Sequence, residues 1–287
     1  MVDIAIMSRR WVLLVSLAVF CPHEDLWASG HGPVFGAATP TLGRGGWSID
    51  QAYTFRGGEG DDRQSQQMFK TMVSFGITET VQVSGSIPVA MSDGLTPSRM
   101  MSAMSSEREF EGLLAYRFQR RVIGIGGRQE STLYVGGTLP IEDQRAGLPV
   151  GASVVVQAAT GYASRAHYAW LGGGIQHFLE DDNARQGASR FVTFVYGYRP
   201  PPLQVEAGKP DLRFFVEMTA EDRANGRMAG VDLQDGGRTA FVGPTSLLVY
   251  KAIAVEGGVL FPVYQRTQQA RERMRVAVNF AYFFWLK

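Results

Sequence analysis

The sequence predicts an all-β fold: a transmembrane antiparallel β-barrel of about 12 strands (10–14), with long extracellular loops and short periplasmic turns. Three observations predict it. Apolar and polar residues alternate over stretches of about ten residues, the length a tilted strand needs to cross hydrocarbon. Tyr and Trp gather toward the ends of those stretches (Trp47, Tyr196, Tyr198, Tyr282, Trp285), where an interfacial girdle belongs. The connectors alternate between long polar ones and mostly shorter ones. A soluble sandwich also alternates, but its strands usually run about five or six residues.

The last stretch is the clearest. Arg273, Arg275, Ala277, Asn279 and Ala281 form one parity, and Met274, Val276, Val278, Phe280, Tyr282 and Phe284 the other. Opposite parities lie on opposite faces of a strand, so one face is polar or small and the other apolar. The same reading applies around Trp47–Arg56, Phe69–Phe75, Val81–Ile87, Glu109–Phe118, Glu130–Leu139, Ser153–Tyr162, Val192–Arg199, Asp211–Met218 and Ala252–Val263. Two further stretches, Tyr168–Phe178 and Thr239–Tyr250 with Pro244 inside it, alternate poorly but complete the count. Long connectors are expected at Gly57–Ser65, Ala90–Ser106, Ile141–Val150, Glu180–Ala188, Ala220–Gly236 and Gln265–Arg271. Tight links fall at Thr78-Glu79, Arg165-Ala166 and Lys251-Ala252. Gln119–Gln129 and Pro200–Pro210 read as longer connectors on the short-turn side.

Arg9 and Arg10 precede the apolar run Trp11–Phe20, and Leu26-Trp27-Ala28 offers a small-residue exit. Residues 1–28 are therefore expected to be a cleaved signal peptide, with Met1 or Met7 as the start. Residues 29–45 are expected as an N-terminal periplasmic segment and 46–287 as the barrel, sited in the outer membrane. Outside the leader no apolar run approaches the roughly 20 residues of a membrane-spanning helix, which excludes a helical membrane protein. The sole cysteine, Cys21, lies in the leader, behind a Phe20 too bulky for lipoprotein processing. The mature chain then has neither disulfides nor thiolate metal sites. A net charge of +1 gives no electrostatic case for nucleic acid.

His31-Gly32-Pro33-Val34-Phe35-Gly36-Ala37-Ala38-Thr39-Pro40-Thr41, followed by Gly45-Gly46-Trp47-Ser48, resembles the start of an outer-membrane transporter family. That family is labelled the putative meta-pathway of phenol degradation. Phe75-Gly76-Ile77-Thr78-Glu79, and Gly243-Pro244 ahead of Leu247, Leu248 and Tyr250, match it as well. The resemblance spans the mature chain through turns and strand starts. It implies passage of small, hydrophobic or aromatic molecules across the outer membrane, and carries no functional residue over. The expected partners are outer-membrane lipid and lipopolysaccharide, a small-molecule substrate, and the barrel-assembly machinery. The aromatic last strand Tyr282–Trp285 suits that machinery, although Leu286-Lys287 departs from an aromatic terminus.

The residues that point to chemistry are few. Asp50, Arg56, Glu109, Glu111, Arg117, Glu130, Arg213, Glu217, Glu256, Arg273 and Arg275 fall on the polar parity and are expected to line the lumen. Buried charges must be hydrated or paired, so the lumen is either a water-filled pore or a cross-linked, nearly closed one. Met91, Met100, Met101 and Met104 crowd one long loop and are candidate ligands, since thioethers bind soft Cu(I); they equally pack a loop over the barrel mouth. Glu180-Asp181-Asp182-Asn183 reads as a solvated turn or a site bridged to lipopolysaccharide. His167 and His177 share a parity but stand roughly 33 Å apart along one strand, too far to chelate one metal. Ser164 and Ser189 lie near these strands without a nucleophile pattern. No enzyme activity, metal or cofactor is expected. The reading is a passive channel or transporter for small hydrophobic or aromatic molecules. Its alternative is a non-transporting barrel that binds a ligand, copper or a partner through its long loops. A lateral route through the wall is expected at Pro244 or at Gly172–Gly174.

Overall fold

The structure is a computed structural model and describes residues 32–58, 65–90, 109–140, 144–145, 148–149, 151–181, 183–201, 209–267 and 271–286. The alternating stretches form twelve antiparallel strands that close into one barrel. They are β1 (Gly46–Gly58), β2 (Gln66–Gly76), β3 (Val81–Ala90), β4 (Glu109–Val122), β5 (Arg128–Pro140) and β6 (Ser153–Ala163). The second half is β7 (His167–Phe178), β8 (Ser189–Tyr198), β9 (Asp211–Arg223), β10 (Gly237–Tyr250), β11 (Ile253–Thr267) and β12 (Glu272–Trp285). Each pairs with its successor, and β12 returns to β1 from Gly46↔Trp285 to Gly58↔Glu272. Closure is what hydrocarbon demands, because lipid offers an open strand edge no hydrogen-bond partners.

Burial is inverted relative to a soluble protein. On β6 the outward Val154 and Val156 are exposed, while the inward Ser153 and Gln157 are buried. Phe194, Tyr196, Val216, Phe261 and Phe280 are likewise exposed on the outside, as a lipid-facing wall requires. Trp47 stacks on Phe284 and contacts Phe75 at the periplasmic ends of β12, β1 and β2, which builds part of the aromatic girdle.

The tight links are where the sequence placed them, at 77–80, 164–166 and 251–252. Gln119–Gln129 differs: it is mostly strand. β4 runs to Val122 and β5 begins at Arg128, leaving a five-residue turn in which Gly124 (φ 62°) and Gly126 (φ 79°) take the left-handed conformation. Three arginines disguised that strand end, because polar residues beyond the hydrocarbon no longer alternate with apolar ones. The signal peptide, the four loop methionines and parts of the long extracellular loops (59–64, 91–108, 141–143, 146–147, 150, 182 and 268–270) lie outside the described residues.

Candidate functional site

The stretch expected in the periplasm instead enters the barrel. From residue 32 to Gly45 the chain runs within the lumen, with Val34, Phe35, Ala37, Thr39, Thr41 and Leu42 buried. Its path can be followed from β1 inward. Gly45 N–H donates to the Gly76 carbonyl at 2.8 Å, and Leu42 N–H to Gln82 Oε1 at 2.8 Å. Thr132 Oγ1 donates to the Thr39 carbonyl at 2.6 Å, the Tyr134 hydroxyl to the Ala38 carbonyl, and Trp170 Nε1 to Thr39 Oγ1 at 3.2 Å. Ala37 N–H reaches Thr193 Oγ1 at 3.3 Å. These contacts satisfy a backbone that has neither a strand partner nor bulk water.

The inner end of the segment is held by one carboxylate. Glu217, on β9, accepts N–H from Val34 (2.8 Å), Phe35 (2.7 Å) and Gly36 (2.9 Å), and Oγ1–H from Thr245. Successive N–H groups converging on an anion form a backbone nest, here filled by the protein's own side chain. Apolar clusters flank the segment alongside the buried hydroxyls of Thr193, Thr219 and Thr245. Val34 and Phe35 pack with Phe241, Leu260 and Ala277; Leu42 packs in a cluster with Tyr168, Trp170, Val195, Phe215, Leu247 and Phe283. Gly172 makes room for the segment, since a Cβ there would lie 2.7 Å from the Ala37 Cβ.

This packing explains why β7 and β10 alternate poorly in sequence. Their inner faces carry Tyr168 and Trp170, and Phe241 and Leu247, because they meet the segment rather than water. Both faces are apolar, so the period of two fades.

Nine of the eleven charges assigned to the lumen are buried on the inner face: Asp50, Arg56, Glu109, Glu111, Arg117, Glu130, Glu217, Glu256 and Arg275. Arg213 is half-buried at the periplasmic end, donating to Asp211 and lying 5.0 Å from the Tyr168 ring centre. Arg273 is a correction: it is exposed on the outside. Gly57 pairs with Met274 but Gly58 with Glu272, a bulge that leaves Arg273 unpaired, turns it outward and brings Glu272 into the lumen. Glu272 then binds two arginines. Arg56 Nε lies 3.2 Å from Oε2, Arg275 Nε 2.7 Å from Oε2, and Arg275 Nη2 2.8 Å from Oε1. Lys70, also absent from the sequence-derived set, pairs with Glu111 at 3.3 Å. At the periplasmic end Glu130 is approached by Arg117 (3.4 Å), Arg120 and Arg128 (both 3.6 Å). Arg56, Glu111, Arg117, Glu130 and Arg275 are therefore ion-paired along the lumen wall.

The histidines do not build a catalytic pair. His167 Nδ1 meets the Tyr196 hydroxyl at 2.9 Å on the outer surface, His177 is exposed, and Ser189 Oγ donates to Glu221 inside the lumen. Among the described residues no three potential metal ligands cluster.

The wall has a seam, though not at the expected places. Gly172–Gly174 pair on both sides with β6 and β8. Pro244 sits where the β10–β11 ladder skips from Val242↔Phe261 to Thr245↔Gly258, yet a Cβ on Gly243 would lie 1.9 Å from the Val259 carbonyl oxygen, so those strands stay in contact. The β11–β12 ladder, by contrast, stops at Leu260↔Arg275, although β11 continues to Thr267. Pro262, without an N–H, stands just above the break. Across it the Gln265 side chain substitutes for the ladder: Nε2 donates to the Glu272 carbonyl at 2.7 Å and Oε1 accepts Glu272 N–H at 2.9 Å.

Against solved structures, the chain superposes on an outer membrane channel from Pseudomonas putida F1 with a TM-score of 0.63, at 14% identity, covering 86% of this chain and 98% of that one. The fold is that of an outer-membrane barrel. Two porins follow at lower similarity: NanC, with a TM-score of 0.49, 7% identity and coverage of 83% and 100%, and KdgM, at 0.42, 10%, 83% and 99%. No family model and no curated protein matches the sequence.

Proposed function

We propose that this barrel is a channel or transporter for small hydrophobic or aromatic molecules, exported by its N-terminal leader and resident in the outer membrane. The observation that carries the reading is the character of the lumen around residues 32–45, a surface of Tyr168, Trp170, Phe215, Leu247 and Phe283. A passage for hydrated solutes presents polar groups at its narrowest level, whereas apolar rings favour an apolar occupant. The segment packs inside the lumen against these rings, so passage requires it to shift, or requires solute to enter through the wall at the β11–β12 seam. The likeness to an outer membrane channel from Pseudomonas putida F1 and the resemblance to the phenol-degradation transporter family are both in keeping with this role.

The segment inside the lumen also favours a second reading over an open pore: a barrel that carries binding loops and transports nothing. One experiment separates the two. The refolded mature protein is examined in planar bilayers for ion conductance, and cells bearing it are assayed for uptake of a small aromatic solute. Transport of apolar solutes predicts low or flickering conductance together with faster aromatic uptake. Uptake identical to barrel-free cells, with a silent bilayer, would overturn it in favour of the loop-binding reading.

A further inference from the structure

The outer surface carries a second feature, independent of the lumen. At the extracellular ends of β8 to β11, Arg190, Asp222, Arg238 and Arg266 lie in one cross-strand row, paired Arg190↔Asp222, Asp222↔Arg238 and Arg238↔Arg266. All four side chains are exposed. The bulge in β12 adds Arg273 to the same outer surface, and Arg271 precedes it. Among the described residues, five arginines thus accompany one exposed carboxylate, Asp222, which holds Arg238 at 3.1 Å. Among the described residues none of Arg190, Arg266, Arg271 and Arg273 has an acidic partner.

Arg238 and Arg266 are directly opposite in an antiparallel ladder, where like charges repel. An anion between them removes that repulsion. Two grooves accept one. The first, about 420 Å³, is lined by Arg223, Arg238 and Arg266 with Asp222; the second, about 390 Å³, by Arg271 and Arg273 with Glu272, whose charge Arg56 and Arg275 already hold. Immediately toward the membrane centre the wall is apolar, with Val263, Phe261, Met218 and Val192 exposed. On β5, β6 and β7 the outer face toward the extracellular end carries exposed Leu139, Val154 and Ile175 instead, Ile175 directly opposite Arg190. The arc is therefore one-sided, cationic above and apolar below.

A guanidinium pair suits phosphate, which it grips by bidentate charge-assisted hydrogen bonds. Phosphate joined to acyl chains at the outer hydrocarbon boundary is the chemistry of the phosphorylated glucosamine lipid that anchors lipopolysaccharide. We propose that the arginine arc on β8–β12 is a docking site for that lipid, with its phosphates in the two grooves and its chains against Phe261 and Val263.

The test uses the full mature barrel in detergent, loaded with bisphosphorylated lipid A and followed by native mass spectrometry through detergent exchange. Its variants are R238A/R266A, R271A/R273A and, as a control on the apolar side, L139A. Heat-modifiable mobility on gels checks that each is folded. Retention of bisphosphorylated lipid, weakened about tenfold or more by either double substitution but unchanged in L139A, is the expected result. R238K/R266K, which keeps charge but loses the fork, retains an intermediate amount. Equal retention of dephosphorylated lipid, or full retention by both double variants, overturns the proposal. Displacement of the lipid by inorganic phosphate alone also overturns it, because the site then recognises a free anion rather than a membrane lipid.

Discussion

Glu217 Oε2 accepts the N–H of Phe35 at 2.7 Å, a bond between the lumen wall and a residue 182 positions earlier in the chain. With the N–H groups of Val34 and Gly36 it makes the carboxylate the anchor of the lumenal segment. Substitution E217Q removes the charge and replaces one acceptor with a donor facing N–H groups. Hydrogen bonds to a charged group contribute about 1.5–3 kcal/mol each, so losing even one loosens the segment about tenfold or more. The expected outcome is faster amide exchange at residues 34–36 and raised conductance, with the barrel still heat-modifiable. Unchanged exchange would mean that apolar packing alone holds the segment.

Gly172 tests the packing side of the same contact. A Cβ built there sits 2.7 Å from the Ala37 Cβ and 3.0 Å from Thr193 Oγ1. Overpacking of this kind costs about 1–3 kcal/mol, and the segment, lacking strand partners, gives way before the wall does. G172A is expected to raise conductance much as E217Q does. Adding A37G should return it toward wild type, because the removed methyl vacates the space the new one needs. A barrel that fails to fold with G172A, rather than one that opens, would place the strain in the wall. The double variant would then not rescue it.

How far this site was legible in the sequence depends on what each residue faces. The barrel and its strand number were legible because lipid and lumen impose opposite demands on alternate residues, as in Val278, Asn279 and Phe280 on β12. The lumenal segment was not. Val34 and Phe35 carry no periodic signal, and their partners Phe241 and Leu260 are separated from them by most of the chain. The weak alternation of β7 and β10 was the available clue, since a barrel strand apolar on both faces needs something apolar inside. Arg273 and Glu272 were exchanged because a bulge shifts parity without changing composition.

The ion triad near the outer end of the lumen supplies a stability prediction. Glu272 neutralises part of the charge of Arg56 and Arg275, which face each other across the β1–β12 pair, and the Arg275 guanidinium carbon lies 3.9 Å from the centre of the Phe241 ring. E272A removes the carboxylate that the two buried, facing arginines share. Removing one partner of a buried ionic group costs about 3–5 kcal/mol. The expected result is a lower temperature for the folded-to-unfolded gel shift, together with a smaller loss for E272Q, which keeps one acceptor. A second change, R56M in the E272A background, should recover part of the loss by removing the repulsion. If E272A unfolds at the wild-type temperature, water reaches the triad and screens it.

The seam supplies the prediction closest to transport. Gln265 joins β11 to β12 by two side-chain hydrogen bonds where no backbone pair does, above the last ladder contact Leu260↔Arg275. Two such bonds contribute about 1–3 kcal/mol together. Q265A is expected to lower barrel stability by no more than that, because the strands remain paired below and β11 keeps β10. Its effect on passage should be larger in proportion. If apolar solutes cross the wall here, freeing the seam raises aromatic uptake about two- to tenfold while ion conductance, governed by residues 32–45, stays near wild type. E217Q should show the reverse balance, with conductance rising more than uptake. Measuring both quantities in Q265A, E217Q and the combined variant separates the two routes. Equal changes in both quantities for both variants would mean that solute and ions share the axial path and that the seam is only a structural irregularity.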